Sequence, residues 1–368
     1  MDRIAGIINL DHEQDLLEEL TYFRCGAAVP FAGRYRMIDF TLSNMTNSRI
    51  ESIAVFTRSK YRSLMDHLEQ GKAWDLDRKR GGLFILPPDW NDPTDISRGD
   101  LQHFHNNIDY VHRSYGDYML ITGSQHICNI DYQDVLAAHK QSDADVTLIY
   151  KRVEMVQPEH QLASKLSIDE HNRVTDIHNN QKSNYVYMDM YLVKKSYLLE
   201  LIEEGIAHGY AHLFNEAIKA KVNTTHVHAY EYTGVHALVN SVESYFRNSR
   251  SLLNPQEHDL LFKQESPVYT KVMNEAPSKY LQSSNVHNTL VANGCVIAGD
   301  VEDSILFRGV HVGKGAVIKN SVILQNCVIE PNAVLENVIM DKDCTISEGR
   351  MLIGATEKPF VLAKRKVM

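Results

Sequence analysis

The chain reads as an α/β protein with a largely parallel sheet, followed by a β-helix of hexapeptide repeats. Short β-rich runs alternate with amphipathic segments up to about residue 255, and a proline-bearing polar stretch follows. From there aliphatic residues recur every five or six positions. A single core rarely keeps growing past about 250 to 300 residues. At 368 residues the chain is therefore expected to hold two domains. The expected boundaries are 1–254 for the α/β domain, 255–280 for a linker around Pro255, Pro267 and Pro277, and 281–368 for the β-helix.

In the first domain the run from Ile4 leads through Asp11, Glu13 and Asp15 into what reads as a helix start, where acids suit the positive end of the dipole. Further strands are expected at Ile53 to Thr57, Tyr118 to Thr122, Val146 to Tyr150 and Tyr185 to Val193. Helices are expected at Tyr61 to Trp74, Leu101 to Arg113 and Ser196 to Glu204. Lys165 to His178, with Asp169-Glu170-His171-Asn172 at its middle, reads as a hairpin.

In the last domain the repeating aliphatics are Val296, Val301, Leu306, Val312, Val317, Val322, Val328, Val334 and Ile339. That spacing fits neither a 3.6-residue helix nor strict alternation. It fits coils in which each short side turns one aliphatic residue inward. An irregular β-sandwich is the rival. A β-helix leaves strand edges at its ends, so oligomerisation is expected.

With 47 acidic and 38 basic residues the net charge is −9, which disfavours general nucleic-acid binding. No apolar stretch approaches the roughly 20 residues of a membrane helix, and no signal peptide is expected. The five cysteines form no C-x-x-C pair, which predicts a reduced, cytoplasmic chain. His103-x-His105 and His226-x-His228 lack a convincing third ligand, so no metal site is expected. Ser124-Gln-His126 lacks a nucleophile elbow.

The stretch Ala28-Val-Pro-Phe-Ala-Gly-Arg-Tyr-Arg-Met-Ile-Asp-Phe-Thr-Leu-Ser-Asn44 closely resembles a signature of glucose-1-phosphate adenylyltransferases, the ADP-glucose pyrophosphorylases. Weaker echoes follow in family order: Arg98-Gly99 before Asn107, Gly123-Ser-Gln-His-Ile127 with Asp131-Tyr132, and Val242-Glu-Ser-Tyr-Phe246. The resemblance implies a nucleotide-diphospho-sugar transferase domain, Rossmann-like, followed by a left-handed β-helix. It also implies chemistry that joins glucose 1-phosphate to ATP and needs a phosphate cradle, cations and magnesium-holding carboxylates.

Placed on this sequence, those requirements are missing. The family's glycine-rich loop falls on Asp11 to Leu17, so Asp11, Glu13 and Asp15 would face a triphosphate. Its lysine-proline pair becomes Gly26 and Ala27, and its arginine-glycine-threonine becomes Arg98-Gly99-Asp100. The two magnesium-holding aspartates fall on Gln125 and on Leu238. The glutamate-lysine pair for the sugar phosphate becomes Asn179-Asn180, and the glucose-contacting S-M-G becomes Tyr187-Met188-Asp189.

The pattern is similar to the non-catalytic, regulatory members of that family. It implies no catalytic residues and no cofactor in this chain, with Mg2+ used by a catalytic glucose-1-phosphate adenylyltransferase partner in a tetramer. Arg24, Arg34 and Arg36 are candidates for a phosphorylated effector or sulfate, or for salt bridges to Asp39 or a neighbouring subunit. Two other readings stay open: a weakly active adenylyltransferase, and a stand-alone sugar-phosphate or nucleotide sensor.

Overall fold

The computed structural model describes residues 3–11, 13, 16–88 and 99–368. The chain forms two compact units whose sequences interleave. Met1–Gln14, Phe40–His236 and Gln264–Tyr269 make the first, and Asp15–Asp39, Ala237–Lys263 and Thr270–Met368 the second.

The first unit is built on a nine-stranded sheet among the described residues. Its strand Ile4–Asn9 is buried along its whole length, which explains the unbroken apolar run that carries it. Ser52–Phe56 and Tyr118–Thr122 flank it, both parallel to it, and Gly82–Leu86 continues the parallel set. The long strand Tyr185–Lys194 runs antiparallel to Tyr118–Thr122 and to Val146–Arg152. Lys165–Ile168 and Val174–His178 form the expected hairpin. The core packs Ile7, Met119 and Leu148 with Leu198, Leu201 and Ile202 of the helix Lys195–His208.

Local breaks divide two of the expected helices. Arg62–Leu68 ends before Gly71, whose φ of +77° turns the chain, and Asn107 separates Asp100–Asn106 from Ile108–Arg113. Among the described residues the helix expected after the first strand does not form. Residues 10, 11, 13, 16 and 17 have no helical structure, and a single 3-10 turn follows at Glu18–Thr21. Asp11 and Glu13 therefore complement no dipole. Their partners are tertiary.

In the second unit three five-stranded parallel sheets form the sides of a β-helix. Ile297, Val312, Ile329 and Ile346 stack along one inner side, and Val301, Ile318 and Leu335 along another. The inward register differs at several positions from the expected one: Val328 is 38 % exposed, while its neighbour Ile329 is buried. Consecutive Val-Ile pairs offer two aliphatics per side, and spacing alone does not choose between them. The segment read as a linker opens with the helix Pro255–Leu261, capped by Asn254, whose side chain accepts from Gln256 N at 2.9 Å.

From Asp303 to Gly349 each corner of the coil carries a left-handed residue that recurs one turn later. Asp303, Asn320 and Asn337 form one column, Gly309, Asn326 and Asp343 a second, and Gly315, Asn332 and Gly349 a third. Asn and Asp tolerate this conformation far better than residues with apolar side chains. Asn332→Ala is expected to cost about 1–2 kcal/mol, with Asn332→Gly close to neutral, as read from chemical denaturation midpoints. Equal loss in both variants would place the cost elsewhere.

Candidate functional site

Across the parallel part of the first unit the strand order is Gly82–Leu86, Ser52–Phe56, Ile4–Asn9, Tyr118–Thr122. The direction of winding reverses between the last two. Ligands of open α/β sheets bind outside the carboxyl ends of the strands at such a switch point. Here those ends are Asn9 and Thr122, so residues 10–13 and the turn Gly123-Ser124-Gln125 form the crevice.

The signature helix Met37–Asn47 fixes that turn. Thr41 Oγ1 donates to Gly123 O at 3.2 Å, and Asn44 Nδ2 donates to Cys128 O at 3.0 Å. Phe40, Leu42, Ser43 and Met45 are fully buried, so packing alone holds this stretch to its residue types.

The crevice is filled by the chain's own carboxylates. Ser124 donates to Glu13 through both its backbone N–H and its hydroxyl, the latter at 2.9 Å. A Cβ on Gly123 would lie 3.0 Å from Glu13 Oε1 and 3.2 Å from Asp189 Oδ2. Asp11 lies 3.7 Å from Arg58 Nε and 3.8 Å from His103 Nδ1. Asp100 is 5 % exposed and accepts from Asn9 Nδ2 at 2.8 Å and from Leu213 N at 3.1 Å. These acids act as internal acceptors. Beneath it, burial and then the charge of Asp189 hold the Tyr187 hydroxyl well above its usual range.

Asp11, Glu13, Asp100 and Gln125 thus gather at one sheet edge. Asn179 and Asn180 lie apart in an exposed loop after the strand Val174–His178, where Asn180 Oδ1 accepts from Lys182 N. Asp15 and Arg98 lie outside the described residues. Ser124 and His126 do not pair: the serine serves Glu13, and His126 Nδ1 meets His236 Nε2 at 2.8 Å.

Gly26, Leu238, Arg24, Arg34 and Arg36 belong to the second unit. Gly26 opens a 3-10 turn in which a Cβ would meet only Leu17 at 3.8 Å, so backbone geometry does not require glycine there. Leu238 is buried at 3 % exposure, and its carbonyl accepts from Asn248 Nδ2. Arg24, 3 % exposed, grips Asp341 through two 2.8 Å bonds. The Arg36 backbone N–H donates to Asp39 Oδ2 at 3.0 Å. Arg34 leans on Tyr35, its guanidinium carbon 4.9 Å from the ring centre, beside a separate cavity of about 290 Å³.

Sequence reasoning missed Asp341 and Lys342. Burial, then Arg36 and Arg24, push the Lys342 ammonium down to about 7. Arg36 and Arg24 crowd positive charge there, and Asp341, which Arg24 grips, offsets part of it.

A nucleotidyl transferase family model matches residues 16–237, and a GlmU-like C-terminal hexapeptide model matches residues 271–359. A glucose-1-phosphate adenylyltransferase of Clostridium perfringens strain 13 is 32% identical over 382 residues, covering 99% of this chain and 96% of the relative. The chain belongs to the glucose-1-phosphate adenylyltransferase family. Identity is higher with two proteins named glycogen biosynthesis protein GlgD. It is 39% over 363 residues for the Bacillus subtilis protein, covering 99% of this chain and 96% of that one. It is 41% over 367 residues for the Geobacillus stearothermophilus protein, covering 100% and 97%.

Within this glucose-1-phosphate adenylyltransferase family member the donors do not fit magnesium, which takes hard carboxylate oxygens in near-octahedral order. Gln125 offers an amide, Leu238 offers nothing, and Glu13 is engaged by Ser124. Among the described residues no group of three or more His, Cys, Asp or Glu side chains is placed to hold a metal ion. Among them too, no helix is long and apolar enough to cross a membrane.

Proposed function

We propose that this chain is a regulatory, catalytically deficient subunit of glucose-1-phosphate adenylyltransferase. In this reading it assembles in the cytoplasm with a catalytic homologue, as a tetramer. It raises that partner's synthesis of ADP-glucose from ATP and glucose 1-phosphate for glycogen biosynthesis. One observation carries the reading: Glu13 occupies the Ser124 donors at the switch point, where an anionic substrate would need them. The Mg2+ then belongs to the partner's site alone. Co-expression with the catalytic homologue, followed by mass measurement and a rate assay with and without this chain, tests it. A mixed assembly with a raised rate is expected; two proteins that stay separate and an unaltered rate would end it.

The crowding at Lys342 supports a second role for the same subunit, binding a phosphorylated effector or sulfate through Arg36 and Lys342. The ammonium carries its charge below about 7 and loses it above. Sulfate affinity is therefore expected to fall by about tenfold from about pH 6 to about pH 8, the worth of one charge-assisted hydrogen bond. Calorimetric titration at both pH values checks this. Lys342→Met should flatten the dependence, and a steep profile in that variant would clear Lys342 of the role.

A further inference from the structure

We propose that Cys327 and Cys344 form a peroxide-responsive dithiol that closes to a disulfide between neighbouring coils of the β-helix. Val328 and Ile329 pair in parallel with Thr345 and Ile346, and Val328 N donates to Cys344 O at 2.9 Å. The two cysteines just before these residues therefore face each other across one strand spacing. That spacing is about 4.8 Å in a sheet, inside the roughly 4.4–6.8 Å Cα separation a disulfide accepts. Both side chains are fully buried on the inner face, so they share one direction. Cys327 and Cys344 are both free thiols.

The pair is chemically graded. The neighbouring Cys327 thiol, and then Lys366 N donating to its sulfur at 3.4 Å, hold the Cys344 thiol below the ordinary range. Burial holds the Cys327 thiol above it. Cys344 thus ionises first and attacks first. The run covering it is exposed, with Val367 at 72 %, and is tied by Thr345 N to Lys366 O at 3.0 Å and Met368 N to Thr345 O at 3.0 Å. Opening these few bonds admits a small oxidant. No other thiol is so placed: Val310 stands between Cys295 and Cys327 along the stack, and the Cys128 thiol is pushed up to about 12 by burial.

The step balances with a hydroperoxide as oxidant. The Cys344 thiolate attacks one peroxide oxygen and the O–O bond breaks. The departing oxide takes a proton, leaving a sulfenic acid. Cys327 attacks that sulfur; the S–S bond forms, the S–O bond breaks, and the Cys327 proton passes to the departing hydroxide, which leaves as water. Two thiols lose two hydrogens, and one hydroperoxide is reduced to an alcohol, or water, plus water.

Closure also removes the Cys327 hydrogen from Asp341 O, now 3.0 Å away, on the residue that grips Arg24. Any resulting change in anion affinity rests on the effector reading above. The disulfide does not, so the two fail separately.

Full-length chain is treated with hydrogen peroxide, alkylated, denatured and mapped without reduction. The expected result is loss of two of the five titratable thiols, a linked peptide pair joining Cys327 to Cys344, and recovery with dithiothreitol. Cys295→Ser should leave the link and Cys344→Ser should abolish it. If Cys344→Ser misfolds by circular dichroism, the map of the unsubstituted chain decides. Five thiols still titratable, a link between other cysteines, or sulfinic acid at either position without a link would overturn the proposal.

Discussion

Mixed with magnesium, ATP and glucose 1-phosphate, the purified chain alone is expected to turn over at least about 1,000-fold more slowly than a catalytic relative. Phosphoryl-group chemistry depends on neutralising charge that spreads over phosphate oxygens, and single cationic parts of such sites are worth on the order of 10³ or more. Here the switch-point crevice presents Glu13, Asp11 and Asp189 in place of cations. Each carboxylate at about 4 Å from a phosphate charge opposes it by roughly 4 kcal/mol at an intermediate effective dielectric. Glu13→Gly should release the Ser124 donors without restoring turnover, since Gln125 and Leu238 still offer no carboxylate. A coupled pyrophosphate-release assay measures the rate. Turnover within tenfold of a catalytic relative would refute the regulatory reading.

The other large effect is on stability. Asp341→Ala is expected to destabilise the second unit by about 3–5 kcal/mol, because it leaves the buried Arg24 guanidinium uncompensated. The charge left behind also acts on Lys342, already crowded by Arg36. Replacing both partners together, as Arg24→Met with Asp341→Leu, should recover most of the loss. Apolar groups of similar volume need no counter-charge. Denaturant titration of the single and double variants gives the comparison. A loss under about 1 kcal/mol for Asp341→Ala would mean that water reaches the pair and screens it.

Much of the fold was legible because local pattern and tertiary context agreed. Tyr118–Thr122 has the expected bounds, and the hairpin and the three-sided coil formed as read. Legibility ended where a distant partner decided the outcome. The acids after the first strand looked like a helix start, yet Glu13 is held by Ser124, 111 residues away. Arg24 was a candidate for an anion or for a salt bridge to Asp39 or a neighbouring subunit, yet its partner lies 317 residues on. Nothing local announces such pairs. The inward register of the coil failed for a different reason. Val328 and Ile329 are chemically close, and only the packed interior separates them.

The corner columns impose an arithmetic on the gene. That arithmetic is local: Val296 stacks on His311, Val328 on Thr345 and Val338 on Phe360, so successive turns differ in length and the difference is taken up at the corners. Codons added inside a side would turn the rest of that side onto the wrong face, whereas those added at a corner, as between Ile353 and Phe360, leave the rungs before them untouched.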